Sequence, residues 1–337
     1  MEARQKNAAA QVLGLAIGVV LLAASAAASI RFGFQTISWS DMMGAFTHYR
    51  EDSMKQVIVR TARLPRALIA ISVGASLALA GALMQAVTRN PLASPSVLGI
   101  NQGASFAIVL AITVFGWSNG QMLVWVSFGG AFIAAAAAYV LGSLGRDGLS
   151  PLRVILGGSA IVALFSSATQ GLLVRNENGL QDVMFWLAGS IAARDLQLLA
   201  MVIPYMIIGW AVAMILSPQL NILALGEELA RGLGQRVGLI RLLAGFIVVL
   251  LAGGSVAVAG PIGLIGIIVP HIARYLAGQD HRWLLPYCAV YGAVLLLLAD
   301  VLARFIIMPE EVPVGIMTAV IGAPFFIYIA RRELRNR

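Results

Sequence analysis

"RLPRALIAISVGASLALAG", residues 63–81, and "RLLAGFIVVLLAGGSVAVAG", residues 241–260, decide the reading of the fold. Each opens on arginine and then runs through Gly, Ala, Ser and aliphatic residues without a charge. Crossing a bilayer takes roughly 20 apolar residues in a helix, because about 30 Å of hydrocarbon must be spanned by backbone that satisfies its own hydrogen bonds. The two stretches share a Gly-x-Ser-x-Ala-x-Ala-Gly core, Gly74–Gly81 and Gly253–Gly260, offset by 179 residues, and the same offset takes Pro91 onto Pro270. Two readings account for the echo. Small residues are common on the packing faces of membrane helices, or the chain is a duplicated unit of five spans, whose odd number inverts the second copy.

The rest of the chain agrees with a membrane setting. Of 337 residues, 60% are hydrophobic and 11% charged, and the mean hydropathy is +0.89, far from soluble domains, whose charged share is about a quarter. Charge-free runs cover 7–30, 67–88, 90–145, 154–174, 196–226, 242–273, 283–299 and 312–330. The third holds two spans with a turn at Gly116, Asn119 and Gly120. Counting the sixth as one span gives nine in all, and splitting it at Gly260-Pro261 gives ten.

Charge placement chooses between these counts. Cytoplasmic loops are enriched in Lys and Arg, and both termini are basic: Arg4 and Lys6 at one end, Arg331, Arg332, Arg335 and Arg337 at the other. Two cytoplasmic termini require an even number of spans, hence ten, which places 14 of the 23 Lys and Arg inside. The net charge of +8 then lies against anionic headgroups. Nucleic-acid binding is disfavoured, because the basic residues form short loop clusters and not one face. The N-terminus imitates a signal peptide and is read as a retained first span. One cysteine, Cys288, permits no intrachain disulfide and suggests no metal site. The segment 31–66 carries both signs of charge and suits a short interfacial helix; 175–190 is polar, then amphipathic, and suits a fold back at the outer surface.

Several chemistries are excluded. A P-loop needs Gly-x4-Gly-Lys-Ser/Thr, and the only lysines, Lys6 and Lys55, are followed by Asn and Gln. The histidines His48, His271 and His281 have no metal-ligand spacing. Asp300 is the clearest ionisable residue in a span and a candidate proton relay, yet Arg304 stands one helical turn later, placed for an ion pair.

These residues, together with "RLPRALIAISVGASLALAGALMQAVTRNPLASPSVLGINQGA", "LGEELARGLG", "AGPIGLIGIIVPHIARYLAGQDHRWLLP", "LLADVLAR" and "VPVGIMTAVIGAPFFIYI", resemble the FecCD-type permeases over nearly the whole chain. Those proteins are the membrane subunits of ABC importers for ferric siderophores, haem and vitamin B12. The resemblance implies an all-α polytopic membrane protein of ten transmembrane helices in two inverted five-helix halves, both termini cytoplasmic. Residues 1–337 form one permease domain in the bacterial cytoplasmic membrane, with halves near 1–190 and 191–337 and a cytoplasmic coupling loop over 217–240. The partners it implies are two ABC ATPase subunits, a second permease subunit, identical or paralogous, an extracytoplasmic substrate-binding protein and the lipid bilayer. The chain itself binds no cofactor, ATP and Mg residing on the ATPase, and catalyses nothing. The cargo it implies is an iron–siderophore complex, with vitamin B12 or haem as the alternative within the family and an ion-coupled secondary transporter as the alternative outside it.

By the same resemblance, Leu225, Gly226, Glu227, Glu228, Ala230, Arg231, Gly232 and Gly234 form the ATPase-coupling segment. Its charges are suited to charge-assisted hydrogen bonds with the partner, and Gly226, Gly232 and Gly234 to sharp turns. Arg63, Arg66 and Arg304 match positions that meet acidic residues of the binding protein, although such arginines also pair internally or reach headgroups. Ser159, Ser166, Ser167, Thr169 and Gln170 on the fifth span are candidates for the path, and the same residue types equally glue helices together. Pro324 shapes the tenth span, while Pro91 and Pro270 suit loops and helix ends.

Overall fold

The computed structural model describes residues 8–143, 151–175, 180–308 and 310–335; Arg4, Lys6, Arg337 and residues 176–179 of the segment 175–190 lie outside them. Helices α1 (Ala8–Arg31), α2 (Trp39–Thr47) and α3 (Met54–Ile58) come first, and a π-helical turn, Val59–Arg63, joins α3 to α4 (Leu64–Thr88). Then follow α5 (Ile100–Thr113), α6 (Gly120–Ser143), α7 (Pro151–Arg175), α8 (Leu180–Leu187), α9 (Leu196–Ile215), α10 (Ser217–Ala224) and α11 (Glu227–Gly232). The last four are α12 (Val237–Ala259), α13 (Ile265–Ala277), α14 (His281–Ala303) and α15 (Val314–Arg335). No strand occurs among the described residues, so the all-α expectation holds.

Seven of these segments, α1, α3 through α4, α6, α7, α9, α12 and α14, are long and apolar enough to cross a membrane; α5, α13 and the apolar part of α15 are shorter. The shortness of α5 and α13 has a visible cause. At 1.5 Å per residue, 14 and 13 residues reach only about 20 Å. Ahead of each lies a non-helical segment, 90–99 and 260–264, whose Ala93, Ser94, Leu98 and Ile262 are buried. Irregular backbone at such depth is tolerated where protein surrounds it. The two segments meet: Asn101 Nδ2, just inside α5, donates to the Ile262 carbonyl at 3.3 Å.

Within the charge-free run 196–226 the helix ends at Ile215, and Pro218, in the first turn of α10, starts a new one. One expectation about the prolines needs correcting. Pro270 lies within α13 and not at its end, whereas Pro91 is in the non-helical segment after α4, so the echo does not extend to local structure there. The chain does break at Gly260-Pro261, and between α5 and α6 Gly116 adopts a left-handed φ of 66°.

Helix α4 is the axis. Of its most apolar window 89% is buried, against 22% for α1 and 17% for α7. It packs on α14, α12, α13 and α9, while α12 packs on α4, α6, α9 and α5. Helices in lipid gain no hydrophobic driving force from meeting one another, so backbones must approach closely enough for dispersion to hold them. The glycines supply that approach. A side chain at Gly74 would strike the backbone of Gly292 on α14, one at Gly81 the backbone of Gly266 on α13, and one at Gly130 the carbonyl of Gly103 between α6 and α5. Helix α1 is held by polar bonds instead: Gln11 Nε2 donates to the Ala277 carbonyl at 2.7 Å and Tyr287 Oη to the Gln11 carbonyl at 2.6 Å.

These crossings predict an asymmetry between glycines. Gly81→Leu overpacks the α4–α13 contact and should cost on the order of 1–3 kcal/mol or more. Gly129→Leu, on α6 with nothing within 4 Å, should be nearly neutral. Thermal unfolding of the two purified variants checks this; equal midpoints would show that the backbone contacts do not hold the bundle.

A braced knob and an arginine cluster as the candidate functional site

The segment expected to couple forms a compact projection at the end of the bundle where α9 stops and α12 and α14 start. Gly226, with φ of 122°, lets α10 end at Ala224 and α11 begin at Glu227; Gly234, with φ of 80°, turns the chain towards α12. Gly232 closes α11 without a left-handed torsion, so the turn expected there falls at Gly234.

Three ties link the knob, the adjoining α10 and the bundle. Glu227 accepts from Arg231 Nη2 at 2.7 Å and from Arg241 Nη2 of α12 at 2.7 Å. Asn221 of α10 donates Nδ2 to Asp280 at 2.6 Å, and its Oδ1 accepts from the His281 backbone N–H at 2.8 Å, at the start of α14. Gln235 Nε2 donates to the Gln219 carbonyl at 2.8 Å. The bond from Arg241, reinforced by the charges of Arg241, Arg231 and Arg89, holds the Glu227 carboxyl below its ordinary value despite partial burial. Glu227 is therefore a brace within the chain, and what the knob displays is different. Glu228 and Arg231 are exposed, and so are Leu225, Leu229 and Leu233, at 63%, 60% and 66%. Leu229 and Leu233 stand one helical turn apart on α11 and its C-cap, Leu225 precedes the Gly226 break, and Ala230 is fully buried beneath. Sequence reasoning was drawn to the charges and passed over Leu229 and Leu233, although their spacing of four was the available signal.

At the opposite end, Arg63, Arg66 and Arg304 come together around Asp300. Arg66 reaches Asp300 through Nε and Nη2 at 2.8 and 2.7 Å, and gives Nη1 to Glu311 at 2.6 Å. Arg304 binds the same Asp300 and donates to the carbonyls of Ser29 and Phe32 at 2.7 and 2.8 Å. Arg63 donates to the carbonyls of Ile30 and Gln35. The expected Asp300–Arg304 pair is present, and Arg66 joins it from 234 residues away. Asp300 is wholly buried and Arg63 and Arg304 nearly so, with their bonds made to this chain. The three arginines nevertheless line a cavity of about 460 Å³ with Arg194, Asp195 and Glu311. Arg194, which sequence reasoning did not single out, donates to the Ser190 carbonyl at 3.0 Å, and burial lowers its pKa from the ordinary value.

The five path candidates do not share one environment. On α7, Ser159, Ser167 and Gln170 are exposed, Ser166 is half-buried, and Thr169 is buried with its hydroxyl on the Phe165 carbonyl at 2.7 Å. Ser159 bonds its own helix at the Ile155 carbonyl, 2.9 Å. On α15, Ile316, Val320 and Ile327 are likewise exposed, and Pro324 lies inside the helix. Among the described residues no group of three or more His, Cys, Asp or Glu is placed to hold a metal ion.

Comparison with known proteins now adds to this geometry. A family model for the FecCD transport family matches residues 21–332. The chain is 50% identical over 327 residues to "Probable siderophore transport system permease protein YfiZ" of Bacillus subtilis, covering 97% of this chain and 98% of that one. It is 41% identical to the ferric enterobactin transport system permease protein FepD of Escherichia coli, over 94% and 95% of the two chains. A metal-chelate type ABC transporter solved in an inward-facing conformation superimposes with a TM-score of 0.81 at 33% identity, covering 94% of this chain and 98% of that chain.

The brace predicts a measurable loosening. Glu227→Gln removes the charge that Arg241 and Arg231 share, worth about 1 kcal/mol for a partly exposed pair, so amide exchange across α11 should accelerate about fivefold. Because the folded-state pKa of Glu227 is depressed, its contribution is complete above the ordinary glutamate value of 4.5 and is lost only as pH falls through the lower folded value. Wild-type protection should therefore be flat above that value; a decline at neutral pH would refute the assignment of the brace to Glu227.

Proposed function

The chain belongs to the FecCD transport family, a multi-pass permease subunit of an ABC importer that leaves ATP hydrolysis to a separate subunit, and on that premise we propose how its parts divide the work. Its cargo is an iron–siderophore complex, carried inward. Names of relatives support this: YfiZ is called a siderophore permease, FepD a ferric enterobactin permease, and a further relative, 41% identical, an Fe(3+)-citrate permease.

One observation carries the mechanical part of the proposal: a short helix tied to α12, next to an α10 that is itself tied to α14, carries exposed Leu229 between exposed Leu225 and Leu233, beside Glu228 and Arg231. Large apolar side chains on a polar projection mark a protein contact. The knob is the cytoplasmic coupling element, its leucines enter a cleft on the ATPase, and Glu228 and Arg231 hydrogen-bond at the rim. Two ATPases serve two permeases, and ATP-driven movement of the ATPases reaches the bundle through the ties of Glu227, Asn221 and Gln235.

The remaining reading follows from packing. The seven long segments with α5, α13 and α15 make ten spans, both termini cytoplasmic. The paired crossings, α4 on α14 and α13, α12 on α6 and α5, support two inverted halves around the α4–α12 contact. The exposed faces of α7 and α15 receive the second permease, and Ser159, Ser167 and Gln170 border the path between them. At the outer end the cavity ringed by Arg63, Arg66, Arg194 and Arg304 admits a carboxylate of the binding protein, for which the arginine fork is suited.

Leu229→Asp places a charge in the apolar contact without touching the ties. In proteoliposomes holding permease, ATPase and binding protein, ferric siderophore uptake should fall at least tenfold, with the permease still inserted and the ATPase released on purification. Undiminished uptake and ATPase retention would overturn the proposal, as would wild-type uptake that collapses with an uncoupler while ATP is held constant.

A further inference from the structure

A second cavity, of about 430 Å³, opens on the side of the bundle near the knob, between the last turns of α4, the second half of α6 and the first half of α12. Its walls are apolar except at one end, where Arg89 and Arg241 stand. The mouth is rimmed by exposed Phe132, Tyr139, Leu242 and Phe246, all on membrane-spanning helices. Large apolar side chains at a mouth on spanning helices suit contact with hydrocarbon.

Two features distinguish this groove from an ordinary lipid-facing gap. Gly238 and Gly245, two turns apart on α12, line it, and a side chain built on either would meet nothing within 4 Å. Elsewhere in this bundle Gly74, Gly81 and Gly130 permit backbones to touch; here glycine costs helix stability and leaves a recess that the chain itself does not fill. At the polar end, Arg89 has a left-handed φ of 49° just past α4, is exposed and donates no side-chain hydrogen bond to a described residue. Arg241 gives one nitrogen to Glu227 at 2.7 Å, and a guanidinium carries five donors. The two arginines thus offer free donors to an anion at the end of α4 and the start of α12, directly beside an apolar slot.

We propose that this groove is a binding site for one anionic phospholipid, an acyl chain lying in the recess between α4, α6 and α12 and the phosphodiester held by Arg89 and Arg241. The charge complementarity selects a lipid over a second copy of the chain, whose apolar faces would leave the arginines unmatched. The glycerol-phosphate headgroup is favoured over phosphocholine, because a quaternary ammonium would face the same two cations. Since Arg241 also ties Glu227, the bound headgroup sits against the brace of the coupling knob. This inference is independent of which cargo the permease carries.

Native mass spectrometry of the permease–ATPase complex, titrated with phosphatidylglycerol or phosphatidylcholine, tests it. The wild type should retain one phosphatidylglycerol per permease at least tenfold more firmly than phosphatidylcholine. Arg89→Ala should abolish that preference, and Gly245→Leu should abolish retention of both lipids by filling the recess. Unaltered phosphatidylglycerol retention in both variants refutes the site. Loss of ATPase or of a second permease from Gly245→Leu with lipid retention intact also refutes it, assigning the groove to a protein subunit. Should Gly245→Leu fail to assemble, the exposed Arg89→Ala variant and the headgroup comparison still decide.

Discussion

The close approach of backbones around α4 is the constraint from which the rest of the structure follows. A helix surrounded by other helices in lipid has no water to escape, so contact must come from dispersion and from the absence of side chains where axes cross. Gly74 against Gly292 and Gly81 against Gly266 provide this on two sides of one helix. With α4 fixed, its two ends become reference points. The first turn of α4 carries Arg66 into the Asp300 cluster, and the residue after its last turn is Arg89, at the mouth of the groove beside the knob.

The cluster at one end and the knob at the other use charge differently. Asp300 is fully buried and shared by Arg66 and Arg304, the arrangement that a buried carboxylate demands, since an unpaired one at that depth is costly. Both Asp300 oxygens accept from guanidinium nitrogens of this chain, so the residue links α4 to α14. Around the knob the pairs are partly exposed and individually weak. Their effect is geometric: Glu227 ties a six-residue helix, too short to be stable alone, to α12, Gln235 ties the turn after it to α10, and Asn221 ties α10 to α14. A loose helix would absorb displacement, whereas one tied directly to α12 and through α10 to α14 passes it on.

Much of this was legible in the sequence, and the failures have physical causes. Charge-free runs revealed the spans because excluding charge from hydrocarbon is a strong, local rule; the break at Gly260-Pro261 and the turn at Gly116 were visible as glycine and proline breakers inside those runs. The runs overshot where Ser217-Pro218 ends a helix, and lack of charge did not reveal that segments 90–99 and 260–264 are buried although not helical. The Glu227–Arg231 pair is a local spacing and could be read, but Arg241 meets Glu227 only because the chain turns at Gly234. Arg66 and Asp300 are joined solely by the α4–α14 crossing. The exposed leucines of the knob were obscured because, in so apolar a chain, leucine carries no signal until its exposure is known.

The central claim is that the knob and the helix ends beneath it move as one body. Pulsed electron paramagnetic resonance between spin labels at Glu228→Cys on α11 and Arg282→Cys on α14, with the single native cysteine replaced by Cys288→Ser, measures this in the complex with its ATPase. The account predicts one narrow distance, the same without nucleotide and with ATP trapped. A distance that shifts between those states while uptake proceeds would show the knob swinging free of the bundle, and would contradict it.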